Sequence, residues 1–295
     1  MLPLTIFTPA YNRAHTLPRL YDSLCRQSRL DFLWLVVDDG STDGTEALVK
    51  GWAACEKRFP IVYCYKENGG LHTAYNEAIA HLTTPLAVCI DSDDYLPDSM
   101  VERVLDLWER EGSEEVAGIV GLDFYTDGRC IGDRLPDRRT INLIDLLIGR
   151  YPIRHGDRTN VVRSELYRAV APMKVFPGEK NFNPHYMHLQ ISRDYDFLVL
   201  NENLRFVEYQ ADGMSNSMLR QYKSSPRSFA ETRKLYLSFP KAPLAFRLRH
   251  SVHLTSSLTL LGRPFGALAE SPRPFLAFLT LPLGWALALY VKKKG

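Results

Sequence analysis

The sequence predicts an α/β protein built on a doubly wound, mostly parallel sheet flanked by helices, with a helical extension at its C-terminal end. Three observations carry that prediction. Short runs that are apolar from end to end recur through the first 125 residues, as strands covered on both faces require. Segments with apolar residues at helical spacing separate them, which implies right-handed crossovers. The runs end in polar clusters, and in such sheets ligands bind outside the carboxyl ends of the strands. With 295 residues, 45% of them hydrophobic, the chain can bury a large core.

The elements follow in order. Residues 4–8 (LTIFT) are the first strand, broken by Pro9, and residues 14–28 then place Leu17, Leu20, Tyr21 and Leu24 at helical spacing. Residues 33–39 (LWLVVDD) stay apolar until their end. The turn that follows opens a second helix before residue 58, with Thr42 ahead of Thr45 and Glu46 as its expected cap. Residues 61–67, 68–70 and 71–82 read as strand, turn and helix, and residues 86–90 (LAVCI) as the fourth strand. A helix is expected over 98–111 and a strand over 116–125. Residues 128–178 mix a helical patch at 141–149 with loops. A strand pair, 196–200 and 204–210, precedes a loop at 211–218, and from about Pro226 the chain becomes basic and helical.

Charge and motifs narrow the function. A net charge of +2 and a pI near 8.2 argue against a nucleic-acid binder, which would show a concentrated basic surface. Cys25, Cys55, Cys64, Cys89 and Cys130 lack zinc spacing, and residues 1–8 read as a strand rather than a secretory leader, so a reducing cytoplasm is expected. No GxGxxG or GxxxxGK[ST] occurs. What remains is 91-DSDD-94 behind an apolar strand. Carboxylates there suit Mn²⁺ or Mg²⁺, which accept an all-oxygen shell completed by diphosphate and water.

Taken together, 8-TPAYNR-13, 36-VVDDGSTDGT-45, 68-NGGLHTAYNEAI-79 and 90-IDSDD-94 resemble the signature of family 2 glycosyltransferases with the GT-A fold. A weaker resemblance to capsular and exopolysaccharide members continues through Gly156-Asp157, residues 176–180 and residues 211–215. The resemblance implies a nucleotide-diphosphate sugar as donor, most often a uridine one. Pro9, Tyr11 and Asn12 would line its pocket, Asp39 would accept a hydrogen bond from the base, Asn68 would sit at its edge, Asp91 would lie near the ribose, and Asp93 would hold the metal. Arg13 and Lys66 could face the diphosphate or simply be solvated. Asp38 and Asp43 read as turn acceptors. Asp157 is implied near the acceptor, with Asp212, Gly213 and Ser215 in a closing loop.

The family inverts at the anomeric carbon, so the acceptor needs a general base. Here the chain departs from the family pattern: 176-FPGEKNFNPHYMH-188 puts His185 where a carboxylate is expected. A histidine can serve at neutral pH. Glu179, His188, Asp194 and Asp196 are rivals. On this reading residues 1–218 form the glycosyltransferase domain, 1–100 being its donor half and 101–218 its acceptor half, and residues 219–295 form a membrane-associating helical segment. Two other readings compete: a nucleotide-sugar sensor without turnover, and a phosphatase of the haloacid-dehalogenase type, which would want its DxD on the first strand.

The tail carries its own signal. Residues 275–291 are seventeen uncharged residues containing Pro282, Gly284 and Trp285, followed by Lys292, Lys293 and Lys294. That is at the short limit for a span, which needs about 20 residues. A core helix, a span and an interfacial anchor all fit. The anchor would hold the enzyme on the cytoplasmic face of the cell membrane, near a glycan or lipid-diphosphate-linked acceptor.

Overall fold

The computed structural model describes residues 2–154, 156–208 and 218–294. The chain divides into two units, the first made of Met1–Gly69, Thr73–Met173 and Met187–Gln210, the second of Gly70–His72, Lys174–Tyr186 and Ala211–Gly295.

The first unit holds an eight-stranded sheet. Its strands are β1 (Leu4–Ala10), β2 (Phe32–Asp38), β3 (Ile61–Tyr65), β4 (Leu86–Cys89), β5 (Val116–Tyr125), β6 (Thr140–Ile141), β7 (Arg158–Arg163) and β8 (Asp196–Val207), in the order β3-β2-β1-β4-β7-β5-β8-β6. Four of the seven ladders are parallel, so the sheet is mixed with a parallel majority. The antiparallel insertion of β7 falls in the stretch that sequence patterning left open. Helices α1 (Leu17–Cys25), α2 (Thr45–Cys55) and α4 (Met100–Glu111) carry apolar residues at helical spacing into a core with Leu4, Ile6, Trp34, Val36, Leu86 and Val88. Burial of that surface stabilises the sheet at about 25 cal/mol per Å².

Three local expectations change. Pro9 does not end the first strand: β1 runs on to Ala10, with Pro9 opposite Val37 of β2. The carbonyl of Phe7 accepts from Ile90 N at 3.0 Å and that of Ala10 from Asp39 N at 2.8 Å, so odd residues of β1 face β4. Pro9 therefore points past the end of β4, where no ladder donor is required. Thr42 does not cap α2. The Asp43 carboxylate does that work, accepting from Thr45 N at 3.0 Å and Thr45 Oγ1 at 2.5 Å. The late strand pair is one strand, β8. Its register jumps from Gly121↔Leu200 to Leu122↔Asn203, and the Asn201 amide pairs with Leu135 N and O at 2.8 and 2.9 Å instead. The polar residues 201–203 mark a bulge, not a turn.

The second unit is mainly helical: α8 (Met218–Ser224), α9 (Pro226–Ser238), α10 (Leu244–Leu260), α11 (Gly266–Glu270) and α12 (Pro274–Lys294). Its core is small, with Ala230, Leu237, Leu254, Leu258, Ala267 and Ala277. Close approach replaces bulk. A Cβ on Gly284 of α12 would lie 2.4 Å from Thr255 Cβ of α10, so only glycine lets the two helices meet there. Residues 174–186 belong with this unit because Glu179 accepts from Arg227 N at 2.9 Å and from Ser228 N and Oγ at 2.8 and 2.7 Å, satisfying the first turn of α9.

Candidate donor site at the carboxyl edge of the sheet

Strands β1 to β4 run the same way and deliver four loops to one edge. The loops after β1 and β2 are stitched together. Asn12, at φ 55°, donates its N–H to Ser41 Oγ at 2.8 Å, and its Oδ1 accepts from Thr42 N at 2.8 Å. The Asx side chain tolerates this left-handed backbone better than most residues would. Asn12 thus braces two loops, and beside it Tyr11 stands 48% exposed at the mouth of the edge.

Asp38 and Asp39 divide their work. Asp38 is buried and structural, accepting from Ser41 N and Tyr63 OH, both at 2.7 Å. Asp39 gathers the third loop: Lys66 Nζ lies 2.6 Å from Oδ1, Gly69 N donates to the same oxygen at 2.9 Å, and Asn68 Nδ2 reaches Oδ2 at 3.2 Å and the Asp39 carbonyl at 2.7 Å. Lys66 is therefore committed to a buried carboxylate. Gly40 makes room for this knot, with φ at +82° and an added Cβ only 2.8 Å from Asn68 N.

The loop after β4 holds the acidic cluster, and the structure supplies a cation that sequence reasoning missed. Arg205, near the carboxyl end of β8, places its guanidinium 2.9 Å from Asp91, 3.2 Å from Asp94 and 2.5 Å from Asp123 of β5. Burial works against that charge, but Asp123, Asp94 and Asp91 outweigh it and hold Arg205 well above the ordinary guanidinium pKa. Burial pushes the Asp94 carboxyl up to about 8 and raises that of Asp123, in both cases against the pull of Arg205. Thr159 Oγ1 donates to Asp123 at 2.6 Å. A basic residue inside the apolar stretch 204-LRFV-207 was the available signal, because a buried arginine needs carboxylates.

Asp93 is different. Among the described residues it forms no ion pair, while burial and then the charge of Asp91 raise its carboxyl pKa, with Arg13 opposing. Its backbone is fixed: its carbonyl accepts from Arg19, which also lies over the Tyr95 ring, and Tyr95 bridges to Phe206 of β8. Asp93, on a pinned loop beside Asp91, is a carboxylate that fits Mg²⁺ or Mn²⁺, with diphosphate and water filling the rest of the shell.

The edge thus brings together Pro9, Tyr11, Asn12, Asp39, Asn68, Asp91 and Asp93. Asp157 joins them, because β7 is antiparallel and starts at this edge. Asp194 and Asp196 do not. Asp196 opens β8 and Asp194 lies just before it, at least nine residues from Arg205, or about 30 Å at ~3.3 Å per residue. Asp196 there accepts from Asn142 at 2.9 Å. His188 is buried with Nε2 2.7 Å from Tyr167 OH, and Glu179 caps α9. His185 opens α7 (His185–Ile191), its N–H donating to Asn183 Oδ1 at 2.8 Å, and belongs to the second unit. His72 is buried in that unit too. Asp212, Gly213 and Ser215 lie outside the described residues.

A mixed α/β sheet with helices on both faces, four converging loops and an acidic turn after the fourth strand define a ligand-binding α/β domain of the GT-A type. Residues 5–171 match the family model described as Glycosyl transferase family 2, and the chain belongs to that family. It is 30% identical over 141 residues to the uncharacterized glycosyltransferase EpsJ of Bacillus subtilis, a match covering 48% of this chain and 37% of that protein. It is 35% identical over 133 residues to the chondroitin synthase of Pasteurella multocida, covering 45% of this chain and 14% of the synthase. These matches span well under two thirds of the relatives' own lengths. Among solved structures, S. aureus TarS 1–349 in complex with UDP-GlcNAc superposes with a TM-score of 0.62 at 16% identity, covering 99% of this chain and 92% of that one. The mannosyltransferase PcManGT of Pyrobaculum calidifontis, in complex with GDP-Man and Mn²⁺, gives 0.58 at 21%, covering 97% and 80%. The shared fold is thereby established.

Proposed function

We propose that this chain is an inverting, metal-assisted hexosyltransferase that moves a sugar from a nucleotide-diphosphate sugar, a uridine one by preference, to a glycan or lipid-linked acceptor at a membrane surface. The observation that carries the reading is the juxtaposition of the Asp39–Lys66–Asn68 knot with the pinned Asp91–Asp93 turn on one sheet edge. Tyr11, exposed beside the buried Pro9, offers a flat wall for a base, and the fixed Asp39 carboxylate offers an acceptor for a base N–H. Asp91 faces the ribose side. Asp93 would hold the metal, which when bound screens the charge that builds on the leaving diphosphate.

The transfer is a single displacement. An acceptor hydroxyl oxygen bonds to the anomeric carbon, the bond from that carbon to the diphosphate oxygen breaks, and the electron pair leaves with the diphosphate. The hydroxyl proton passes to a general base, a role we assign to His185 because it stands in the sequence where family members carry a carboxylate. The similar proteins include polysaccharide synthases, which favours a glycan acceptor.

The test is a thermal-shift and product-release screen with UDP-GlcNAc, UDP-glucose and GDP-mannose, with and without Mn²⁺. Metal-dependent stabilisation by a uridine donor, lost in Asp93→Asn, is expected. Donor binding that is indifferent to both the metal and Asp93 would overturn the metal assignment. His185→Gln should abolish turnover while leaving that stabilisation intact.

A further inference from the structure

The outer face of α12 is apolar and has no partner among the described residues. At 3.6 residues per turn, Phe275, Phe278, Leu279, Pro282, Leu283, Ala286, Leu289 and Tyr290 fall within an arc of about 140°. The six large ones among them are 53–71% exposed. The opposite face, with Ala277, Thr280, Leu281, Gly284, Ala288 and Val291, is buried. Phe265, 60% exposed, extends the outer face, packing edge-on against Trp285 at 5.4 Å. The helix ends in Lys292, Lys293 and Lys294. Charge is divided along the chain: residues 219–295 carry thirteen Lys and Arg against two Asp and Glu, a formal +11, although the whole chain is only +2.

We propose that this face lies in the plane of an anionic lipid bilayer, seating the second unit on the membrane without crossing it. The inference deepens the membrane-surface part of the function proposed above. An apolar stripe flanked by aromatic residues and lysines, on a unit of high positive charge, matches the interface between acyl chains and acidic headgroups. A second copy of the chain would meet the same +11 and be repelled.

Length alone permits a span, since 21 residues reach about 32 Å against a hydrocarbon core of ~30 Å. Packing forbids it. The inner face of α12 is keyed to α10 by Gly284 against Thr255 and by Thr280 Oγ1, 3.0 Å from Ser251 Oγ. To cross, α12 would have to drag α10 with it, and α10 carries Arg247, Arg249, His250 and His253. In the plane, one face sinks among lipids while the other keeps its partner.

The test uses the full chain and vesicles of phosphatidylcholine alone or with phosphatidylglycerol, read by co-sedimentation. Binding to the anionic vesicles that weakens with salt is expected. Phe275→Ser, Phe278→Ser and Leu283→Ser together should reduce it more than about tenfold, as should Lys292→Glu, Lys293→Glu and Lys294→Glu. All six positions are exposed, and circular dichroism checks that each variant is folded. Alkaline carbonate should release the bound protein. Resistance to carbonate would overturn the in-plane geometry in favour of a span. Equal binding to both vesicle types would overturn the anionic surface as partner, and no binding, or a dimer that the serine variants dissolve, would overturn the bilayer itself. Donor stabilisation by UDP-sugars is measured separately, so failure on vesicles and failure of the donor site are distinguishable.

Discussion

Arg205→Met tests whether the acidic turn is held by a buried cation. The guanidinium serves three carboxylates within 3.2 Å, and Asp123 is fully buried. Removing it leaves those charges in a poor solvent, and breaking a buried pair from one side costs about 3–5 kcal/mol. At roughly 2–4 °C per kcal/mol for a domain of this size, Tm should fall by about 6–20 °C. The loss should depend on pH. Asp123 has its folded pKa raised above the unfolded value, so its folded form holds a proton more readily, and stability declines as pH rises through the window above ~4. Without Arg205 the window widens upward. Denaturation followed by circular dichroism should therefore show a large deficit at pH 8 and a smaller one at pH 5. Arg205→Lys should fall between, since an ammonium lacks the planar fork that serves several acceptors. A deficit below ~1 kcal/mol at both pH values, as for a surface pair, would refute the reasoning.

Three further outcomes follow from the same geometry. Gly40→Ala should destabilise by more than about 1 kcal/mol and weaken donor stabilisation in the thermal-shift assay, because a left-handed φ and a contact at 2.8 Å with Asn68 N act together. Glu179→Ala should cost about 1–2 kcal/mol and speed amide exchange at Arg227 and Ser228, whose N–H groups lose their acceptor. In the second unit burial lowers His250 to about 3 and His253 to about 4, with Arg233 and Arg249 adding to the effect. Those groups fold neutral, so their contribution is complete above ~6.5 and is lost progressively as pH falls from there toward the folded values of about 3 and about 4. Amide exchange in α10 should accelerate between pH 7 and pH 5, and His250→Phe should flatten that dependence.

The first four strands and their loops were legible because their signals are local. Each of β1 to β4 is an apolar run whose end is marked by polar residues, and the stitching of Asn12 to Ser41 and Thr42 joins two such ends. Arg205 was not legible because its meaning lies in partners 114 and 82 residues away, Asp91 and Asp123. Glu179 likewise reads as a spare carboxylate until α9, some fifty residues on, presents its unpaired N–H groups. β7 escaped notice because it is inserted between β4 and β5, and 158-RTNVVR-163 is polar at both ends. In β8 the residues Asn201, Glu202 and Asn203 imitate a turn, whereas the chain keeps its direction and lets a side-chain amide stand in for a missing ladder bond.

The two faces of α12 bear on how this protein could be handled in solution. Its inner face completes the core of the second unit, so trimming the chain before Pro274 would strip α10 of its cover and expose new apolar surface. Replacing the outer residues Phe275, Phe278, Leu283 and Leu289 with polar ones leaves that core untouched. A freely soluble form should come from repainting the helix, and not from cutting it off.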